Sequence, residues 1–191
     1  MGLNYSYVLL IQRGEESRLR TFLSQVGAIE PLPAPVGTCI TLTFPLDPVL
    51  LQYLKQAIRK RDGASWKRAF CFRKSAYRDY FPTDTTGQLH GIDLAFQPLA
   101  ASDYVFVSFT APTSTMSRLF QHSPSIRRWF EQLSSVLSAK AAFLDLEAQG
   151  YDFLYHQGQF VTAIFPEQVS VSIAATTEQQ ICRAYNALFL L

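Results

Sequence analysis

The chain has 191 residues, of which 48% are hydrophobic, 14% aromatic and 17% charged, and its formal net charge is +2 at pH 7. This composition can bury a core and excludes an intrinsically disordered chain, which would be poorer in hydrophobic residues and richer in net charge. No apolar run approaches the roughly 20 residues of a membrane-spanning helix, and the N-terminus lacks the basic region of a signal peptide. We therefore expect a soluble cytoplasmic protein without a membrane partner.

The three cysteines, Cys39, Cys71 and Cys182, stand alone in the sequence. No two of them have the short spacing of a zinc site or a redox motif, and the three histidines are never paired at metal-ligand spacing. We expect buried, reduced cysteines, and we predict neither a metal nor a cofactor.

The first 45 residues predict a strand, a helix, a connector and a second strand. An apolar run indicates a strand over 5–11, and Glu15–Glu16 favour a helix start because acidic groups stabilise the first turn. Gly27 is predicted to end this helix as its C′ residue. The predicted buried stripe of the helix consists of Leu19, Phe22, Leu23 and Val26. Prolines exclude a helix over 31–37, and β-branched residues indicate a strand over 38–44.

Asp47 followed by Pro48 predicts a second helix, since Asp caps helix N-termini and proline is tolerated at the first helical position. Its predicted buried residues are Leu50, Leu51, Leu54, Ala57 and Ile58, and its predicted end is near 62–63. The pattern then indicates a strand over 66–74, a polar loop over 82–87 and a strand over 89–99. In the last of these, apolar and polar residues alternate imperfectly.

The stretch 103–165 carries the clearest pattern. A buried strand is predicted over 104–109, and Ser123–Pro124 repeats the cap-then-proline signature before a helix with apolar residues at 3.6-residue spacing. That stripe consists of Ile126, Trp129, Phe130, Leu133, Val136 and Leu137. Three further strands are predicted over 142–146, 153–155 and 160–165, the last two joined through Gln157–Gly158.

Two patterns close the sequence. Strict alternation over 169–173 predicts a half-exposed strand, and Thr177 with Gln180 forms a capping box that opens a last helix. The predicted buried residues of this helix are Ile181, Ala184, Tyr185 and Leu188. Because the helix stays apolar to Leu191, it must dock on the body of the protein or on a partner, which allows a homo-oligomer.

These elements predict an α+β fold in the order β-α-β-α-β-β-β-α-β-β-β-β-α, with a mixed or antiparallel sheet and helices packed on one side. We expect one compact domain over 1–191, the alternative being two tightly packed halves over 1–100 and 101–191. Ser17-Arg18-Leu19 and Ser117-Arg118-Leu119 follow similar strands, which allows a two-part pseudo-repeat.

The strongest compositional feature is a basic segment with aromatic residues between the charges. Residues 55–78 hold nine of the 17 basic residues against the single acid Asp62, so the segment carries +8 and the rest of the chain −6. The predicted binding residues are Arg59, Arg61, Trp66, Lys67, Arg68, Arg73, Lys74, Tyr77 and Arg78. Cations and flat rings suit single-stranded nucleic acid, and the charge equally suits an acidic protein. A plain solvated edge is the third interpretation.

A second candidate site lies between a strand and a helical run, where the helix N-terminus and nearby hydroxyls favour an anion. Its candidate residues are Thr113, Ser114, Ser117 and Arg118. The segment lacks the glycines and lysine of a phosphate loop, and ordinary helix capping also explains its hydroxyls.

Catalytic residues are not predicted. Asp145 and Glu147 lie two apart, so on one strand they would point the same way, but they precede a turn and suit a solvated face. A set of Cys71, His90 and Asp93 has no local support. We therefore predict a non-catalytic binding protein that uses 55–78 to contact an acidic protein or other anionic partner. The alternatives are nucleic-acid binding through the same segment and an enzyme whose site is assembled from distant residues.

Overall fold

The computed structural model describes residues 2–31, 38–61, 74–99 and 102–165. The strands are β1 (Ser6–Gln12), β2 (Gly27–Pro31), β3 (Thr38–Pro45), β4 (Thr86–Pro98), β5 (Tyr104–Thr110), β6 (Ala141–Asp145), β7 (Tyr151–His156) and β8 (Gln159–Phe165). The α-helices are α1 (Glu16–Val26), α2 (Pro48–Arg61), α3 (Lys74–Tyr80), α4 (Ser114–His122) and α5 (Pro124–Val136). Arg13–Glu15 and Glu147–Gln149 form single 3-10 turns. Among these helices none is long and apolar enough to cross a membrane.

Several sequence predictions lie outside the described residues. They are most of the connector 31–37, most of the strand 66–74, the strand 169–173, the capping box of Thr177 and Gln180, the helix that follows it, Cys71 and Cys182.

The eight strands form one antiparallel sheet in the order β2-β3-β4-β5-β1-β6-β7-β8. The predicted α+β class is confirmed, and the sheet is antiparallel rather than mixed. The strand β1 pairs with β5 along its whole length and with β6 from Ser6 to Leu10. Its five residues Tyr7–Ile11 are all buried, which explains why they read as a continuous apolar run.

The predicted pseudo-repeat is not confirmed. Outward from the central pair β5–β1, the strands on one side are β4, β3 and β2, in reverse chain order, whereas those on the other side are β6, β7 and β8, in chain order. The two sides of the sheet therefore do not share one connectivity.

Helices cover one face of the sheet, as the sequence predicts. The buried apolar residues of α1, α2, α4 and α5 all belong to one large apolar cluster, together with the residues of the central strands that point the same way. The buried helix residues of this cluster are Leu19, Leu23, Leu50, Leu54, Met116, Leu119, Phe120, Ile126, Phe130 and Leu133.

Phe130 of α5 centres the aromatic contacts between helices and sheet. Its ring stacks on Tyr7 of β1, with ring centroids 4.0 Å apart, and meets Phe109 of β5 edge-on at 5.1 Å. The Tyr7 hydroxyl donates a hydrogen bond of 2.9 Å to the Phe120 carbonyl oxygen, and burial raises the pKa of Tyr7 far above its ordinary value. The Tyr7 hydroxyl thus stays neutral and its proton has a hydrogen-bond acceptor. The ring contacts of Phe130 fix α5 over the centre of the sheet.

Gly27 does not act as a left-handed C′ residue, which corrects the sequence prediction. Its backbone is extended, with φ −166°, and the chain passes from α1 directly into β2. A Cβ atom at this position would lie 1.9 Å from the carbonyl oxygen of Thr41 on β3. Glycine is therefore required here for close approach between two backbones and not for a positive φ.

Two further expectations are wrong. Val136 is 46% exposed, because the buried face of α5 follows Ile126, Phe130, Leu133 and Leu137 and leaves Val136 beside it. Lys74, the last residue of the predicted strand 66–74, instead begins the helix α3.

A bulge explains the imperfect alternation in β4. Ile40 pairs with Ile92 and Leu42 with Leu89, so one residue of β3, Thr41, faces two residues of β4. One of these two, Gly91, has φ +80°, as expected for a bulge that uses glycine in the left-handed region. The extra residue turns both Leu89 and Ile92 toward the helices, although they are three apart.

Replacing Gly27 with alanine should destabilise the fold by about 3 kcal/mol, the upper range for overpacking, since a backbone oxygen cannot move aside as a side chain can. Urea unfolding measures the loss. The matched control is Gly14→Ala, where a Cβ meets nothing within 4 Å and the change should stay within about 0.5 kcal/mol. Equal unfolding midpoints for the two variants would contradict the close approach of β2 and β3.

Candidate binding surface

The basic segment 55–78 begins on α2 and ends on α3, two helices that contact each other. Of the nine predicted binding residues, Arg61 ends α2 and Lys74 begins α3, while Arg59, Tyr77 and Arg78 have exposed side chains. The remaining four, Trp66, Lys67, Arg68 and Arg73, lie outside the described residues. The structure thus places both ends of the segment at the surface and does not describe its middle.

The two ends of segment 55–78 that the structure describes carry exposed cations and one aromatic ring that stacking holds in a fixed orientation. Lys55 and Arg59 are exposed and one helical turn apart, so they lie on the same side of α2. Tyr77 is 49% exposed, and its ring stacks on the buried Phe81 with centroids 4.6 Å apart and planes inclined by 26°. Stacking on a buried ring restricts Tyr77 while leaving part of it open, which suits a contact with a partner.

His90 anchors the end of α3 to the sheet. Its Nε2 lies 2.8 Å from the Asp79 carbonyl oxygen, so this nitrogen carries a proton and donates. Its Nδ1 lies 3.2 Å from the Thr41 hydroxyl oxygen, and its ring meets Tyr80 edge-on. Asp93, which the sequence grouped with His90, is exposed on β4 beyond the bulge. These contacts give His90 a structural role, because they hold α3, which carries Tyr77 and Arg78, on the sheet.

The predicted anion site holds the N-terminal segment of the chain in place. Thr113 caps α4 by accepting a hydrogen bond from the Met116 N–H, as the capping interpretation predicted. The Ser114 hydroxyl oxygen accepts from the Leu3 N–H at 2.8 Å. The buried Ser117 hydroxyl accepts from the Tyr5 N–H and donates to the Leu3 carbonyl oxygen.

Three of the four candidate groups of this anion site thereby have partners within the protein, and Arg118 is exposed on α4. Anion binding there stays a prediction without a structural observation in its favour.

Asp145 and Glu147 do not share a strand face, because β6 ends at Asp145 and Glu147 begins a 3-10 turn. The Glu147 N–H donates to Asp145 Oδ1 at 2.8 Å, and Glu147 Oε1 accepts from the Asn4 N–H at 3.0 Å. Burial raises the pKa of Asp145; the hydrogen bond from the Glu147 N–H opposes this rise, and the charge of Glu147 adds to it. Both carboxylates thus serve local structure.

The sequence predicted Asp47 as the cap of α2, which the structure confirms, but missed that the same carboxylate joins α2 to α5. Asp47 Oδ1 accepts from the Leu50 N–H at 2.8 Å in the first turn of α2. Its Oδ2 accepts from the Ser123 hydroxyl at 2.5 Å and from the Ser125 N–H at 3.0 Å, at the start of α5. The Ser123 hydroxyl oxygen in turn accepts from the Ile126 N–H. One side chain therefore satisfies donors at two helix N-termini, where negative charge is favourable.

The sequence also missed Arg127 of α5, whose partners are far away along the chain. Its guanidinium pairs with Asp152 at 2.6 Å and with Glu131 at 3.1 Å, and it donates to the Phe153 carbonyl oxygen. Only the pair with Glu131, four residues on, could be read from local spacing. The contacts with Asp152 and Phe153 fix the first turn of α5 to β7.

Comparisons with known proteins do not identify this arrangement: no protein-family model matches the chain, and no similar curated protein or solved structure is found. Within the described ranges, no group of three or more His, Cys, Asp and Glu side chains could hold a metal ion. The exposed basic and aromatic side chains of α2 and α3 are therefore the candidate surface that the described part of the chain offers.

Replacing Asp47 with alanine should lower the free energy of unfolding by about 2 kcal/mol, because backbone donors at two helix N-termini, Leu50 and Ser125, lose their acceptor and each such capping bond contributes about 1 kcal/mol. The exposed turn residue Asp84 provides the control, and Asp84→Ala should change stability by less than about 0.5 kcal/mol. Urea unfolding of both variants at neutral pH measures the effect. If Asp47→Ala lowered the free energy of unfolding no more than Asp84→Ala does, this would argue against the role of Asp47 in joining α2 to α5.

The contribution of Asp47 should also depend on pH. Partial burial alone would raise its pKa, but the hydrogen bonds from Ser123, Leu50 and Ser125 outweigh this and lower it below the ordinary carboxyl value. Its ionised form thus stabilises the folded state above about pH 4, and this stabilisation is lost as the pH falls through the lowered folded value.

We therefore expect the difference in free energy of unfolding between the wild type and Asp47→Asn to become smaller as the pH falls. Urea unfolding at a series of pH values from neutral to acid measures this difference. Asp84→Asn should show no such gap at any pH. A gap for Asp47→Asn that is constant with pH would contradict the role of the charge.

Proposed function

We propose that the protein functions as a non-catalytic binding protein, and that segment 55–78 contacts an acidic protein or another anionic partner. The observation that supports this most is the exposure of Lys55, Arg59, Tyr77 and Arg78 on two helices in contact. A solvated helix face needs charged side chains but no exposed aromatic ring. The Tyr77 ring, which stacks on Phe81 and stays half exposed, therefore favours a contact with a partner.

The charge distribution favours an anionic partner. The segment carries +8 and the rest of the chain −6, so the protein is strongly polarised although its net charge is only +2. Such a field speeds and orients the encounter with a partner of opposite charge. Because exposed charges are screened beyond about 10 Å at 0.1 M salt, the binding should weaken as salt is added.

Nucleic acid is the second candidate partner, and the exposed ring of Tyr77 beside Arg78 is the observation in its favour. Single-stranded nucleic acid needs successive rings on which bases can stack. Tyr77 already uses one face of its ring on Phe81, and Phe81 is buried, so the described residues of segment 55–78 offer a single exposed ring with one open face. This favours an acidic protein surface over nucleic acid.

Contact between copies of the chain through its apolar C-terminal end, and a cytoplasmic location, stay predictions from the sequence. Residues 166–191 lie outside the described part of the chain.

Charge reversal on the candidate surface tests the proposal. The full-length variant Lys55→Glu with Arg78→Glu removes two exposed cations, and Arg18→Glu with Arg128→Glu makes the same change of charge on α1 and α5. The probes are labelled poly-glutamate, a single-stranded oligonucleotide and a duplex, measured by fluorescence anisotropy at about 50 mM and about 200 mM salt. Urea unfolding first checks that both variants keep their stability.

We expect poly-glutamate to bind in a salt-dependent manner, and the Lys55/Arg78 variant to lose about tenfold in affinity, equivalent to about 1.4 kcal/mol. The Arg18/Arg128 variant should bind like the wild type. Tighter binding of the oligonucleotide, lost only in the Lys55/Arg78 variant, would instead establish the second candidate. Equal affinities in the two variants would refute a role for this surface.

A further inference from the structure

The residues before β1 are bound by side chains of α4. The Leu3 N–H donates to the Ser114 hydroxyl oxygen at 2.8 Å, and the Leu3 carbonyl oxygen accepts from the Ser117 hydroxyl at 2.8 Å. The Tyr5 N–H donates to the Ser117 oxygen at 3.1 Å. Two serines in the first turn of α4 thus hold three backbone groups of this segment.

A carboxylate binds the same segment from a different element. The Asn4 N–H donates to Oε1 of Glu147, in the 3-10 turn after β6, at 3.0 Å. The N–H groups of Leu3 and Tyr5 therefore meet α4, and the N–H between them meets the turn. This alternation is typical of an extended chain held between two sides of a site.

The site recognises mainly the backbone of its occupant. All four hydrogen bonds go to backbone groups of the segment. The Leu3 side chain packs, partly buried, on the apolar cluster of the helix face, whereas Gly2 and Asn4 are exposed. Backbone hydrogen bonds with a pocket for one side chain are a common way to recognise an extended peptide.

The side chains of the site stay satisfied when residues 2–4 leave. The Ser117 hydroxyl lies 3.2 Å from the Thr113 carbonyl oxygen, one turn earlier in α4, so it can donate there instead of to Leu3. Glu147 is exposed and Ser114 is only partly buried, so water can replace their contacts with the segment. Release therefore avoids the free energy cost of a buried polar group without a partner.

The position of Glu147 is fixed independently of the segment. Its φ of +54° lies in the left-handed region, which is uncommon for residues other than glycine. The Glu147 N–H donates to Asp145 Oδ1 at 2.8 Å, and its carbonyl oxygen accepts from the Gly150 N–H at 3.1 Å. These local bonds hold the carboxylate in place for an occupant, whether or not residues 2–4 are bound.

We propose that Ser114, Ser117 and Glu147 form a binding site for an extended peptide segment of another protein, and that residues 2–4 occupy it as an exchangeable strap. The segment that fits has a leucine followed by a polar residue, as the strap has. The site is separate from segment 55–78, so this second binding function does not depend on the first. The strap competes with the partner and lowers its apparent affinity by the fraction of molecules in which the site is closed.

Amide hydrogen exchange of the full-length protein tests whether the strap opens by itself. We expect the Leu3 and Asn4 amides to exchange at least about a hundredfold faster than the amides of β1, because local opening requires less free energy than unfolding of the sheet. Ser114→Ala should accelerate their exchange further, and Thr115→Ala, at the exposed neighbouring position, should not. Exchange of Leu3 and Asn4 at the rate of β1 would overturn the proposal.

An NMR titration of the full-length variant Leu3→Asp tests the site itself, because the new carboxylate weakens the packing of the strap. The probe is the peptide acetyl-Gly-Leu-Asn-Tyr-amide, which should shift the amide signals of Ser114 and Glu147. It should bind the variant at least about tenfold more tightly than the wild type, in which the strap competes. The matched peptide with proline in place of leucine lacks the N–H that Ser114 accepts and should shift neither signal. If the leucine peptide shifted neither signal, or if both peptides bound equally, the proposal would be wrong.

Discussion

The strand β1 is hydrogen-bonded to β5 on one side and to β6 on the other, and both of its faces are buried. Its partners are about a hundred residues or more away in the chain, so the centre of the sheet forms only when distant segments meet. Tyr7, Leu9 and Ile11 face the helices, and Val8 and Leu10 face the opposite cluster. A strand of this kind requires apolar cover on both faces, and on the face of Tyr7, Leu9 and Ile11 the helices supply it.

On the face of the sheet that the helices cover, a few polar contacts fix where the helices lie. Asp47 joins the starts of α2 and α5, and Arg127 joins α5 to β7 through Asp152. Apolar packing is not directional, so it holds helices on a sheet without fixing their ends. Charged hydrogen bonds have defined geometry, and these two residues give the helix layer its orientation.

The candidate binding surface is separate from these contacts. Lys55 and Arg78 lie on the exposed sides of α2 and α3, while the buried residues Leu50 and Leu54 of α2 face the sheet. The hydroxyls of Ser114 and Ser117, by contrast, hold the N-terminal segment and so belong to the stability of the fold. Lys55 and Arg78 can therefore be changed without disturbing these stabilising contacts.

Local sequence determined several of the elements: Asp47–Pro48 and Ser123–Pro124 predicted two helix starts, and the apolar run from Tyr104 predicted β5, because caps and periodicity depend on residues within a few positions of each other. Only the tertiary structure decided that the Asp47 carboxylate would meet Ser125, 78 residues away, or that Gly27 is required by the Thr41 carbonyl oxygen. The order of the strands was likewise beyond local pattern. Pairing between distant segments is set by which surfaces fit together once the chain is compact, and no short stretch of sequence contains that information.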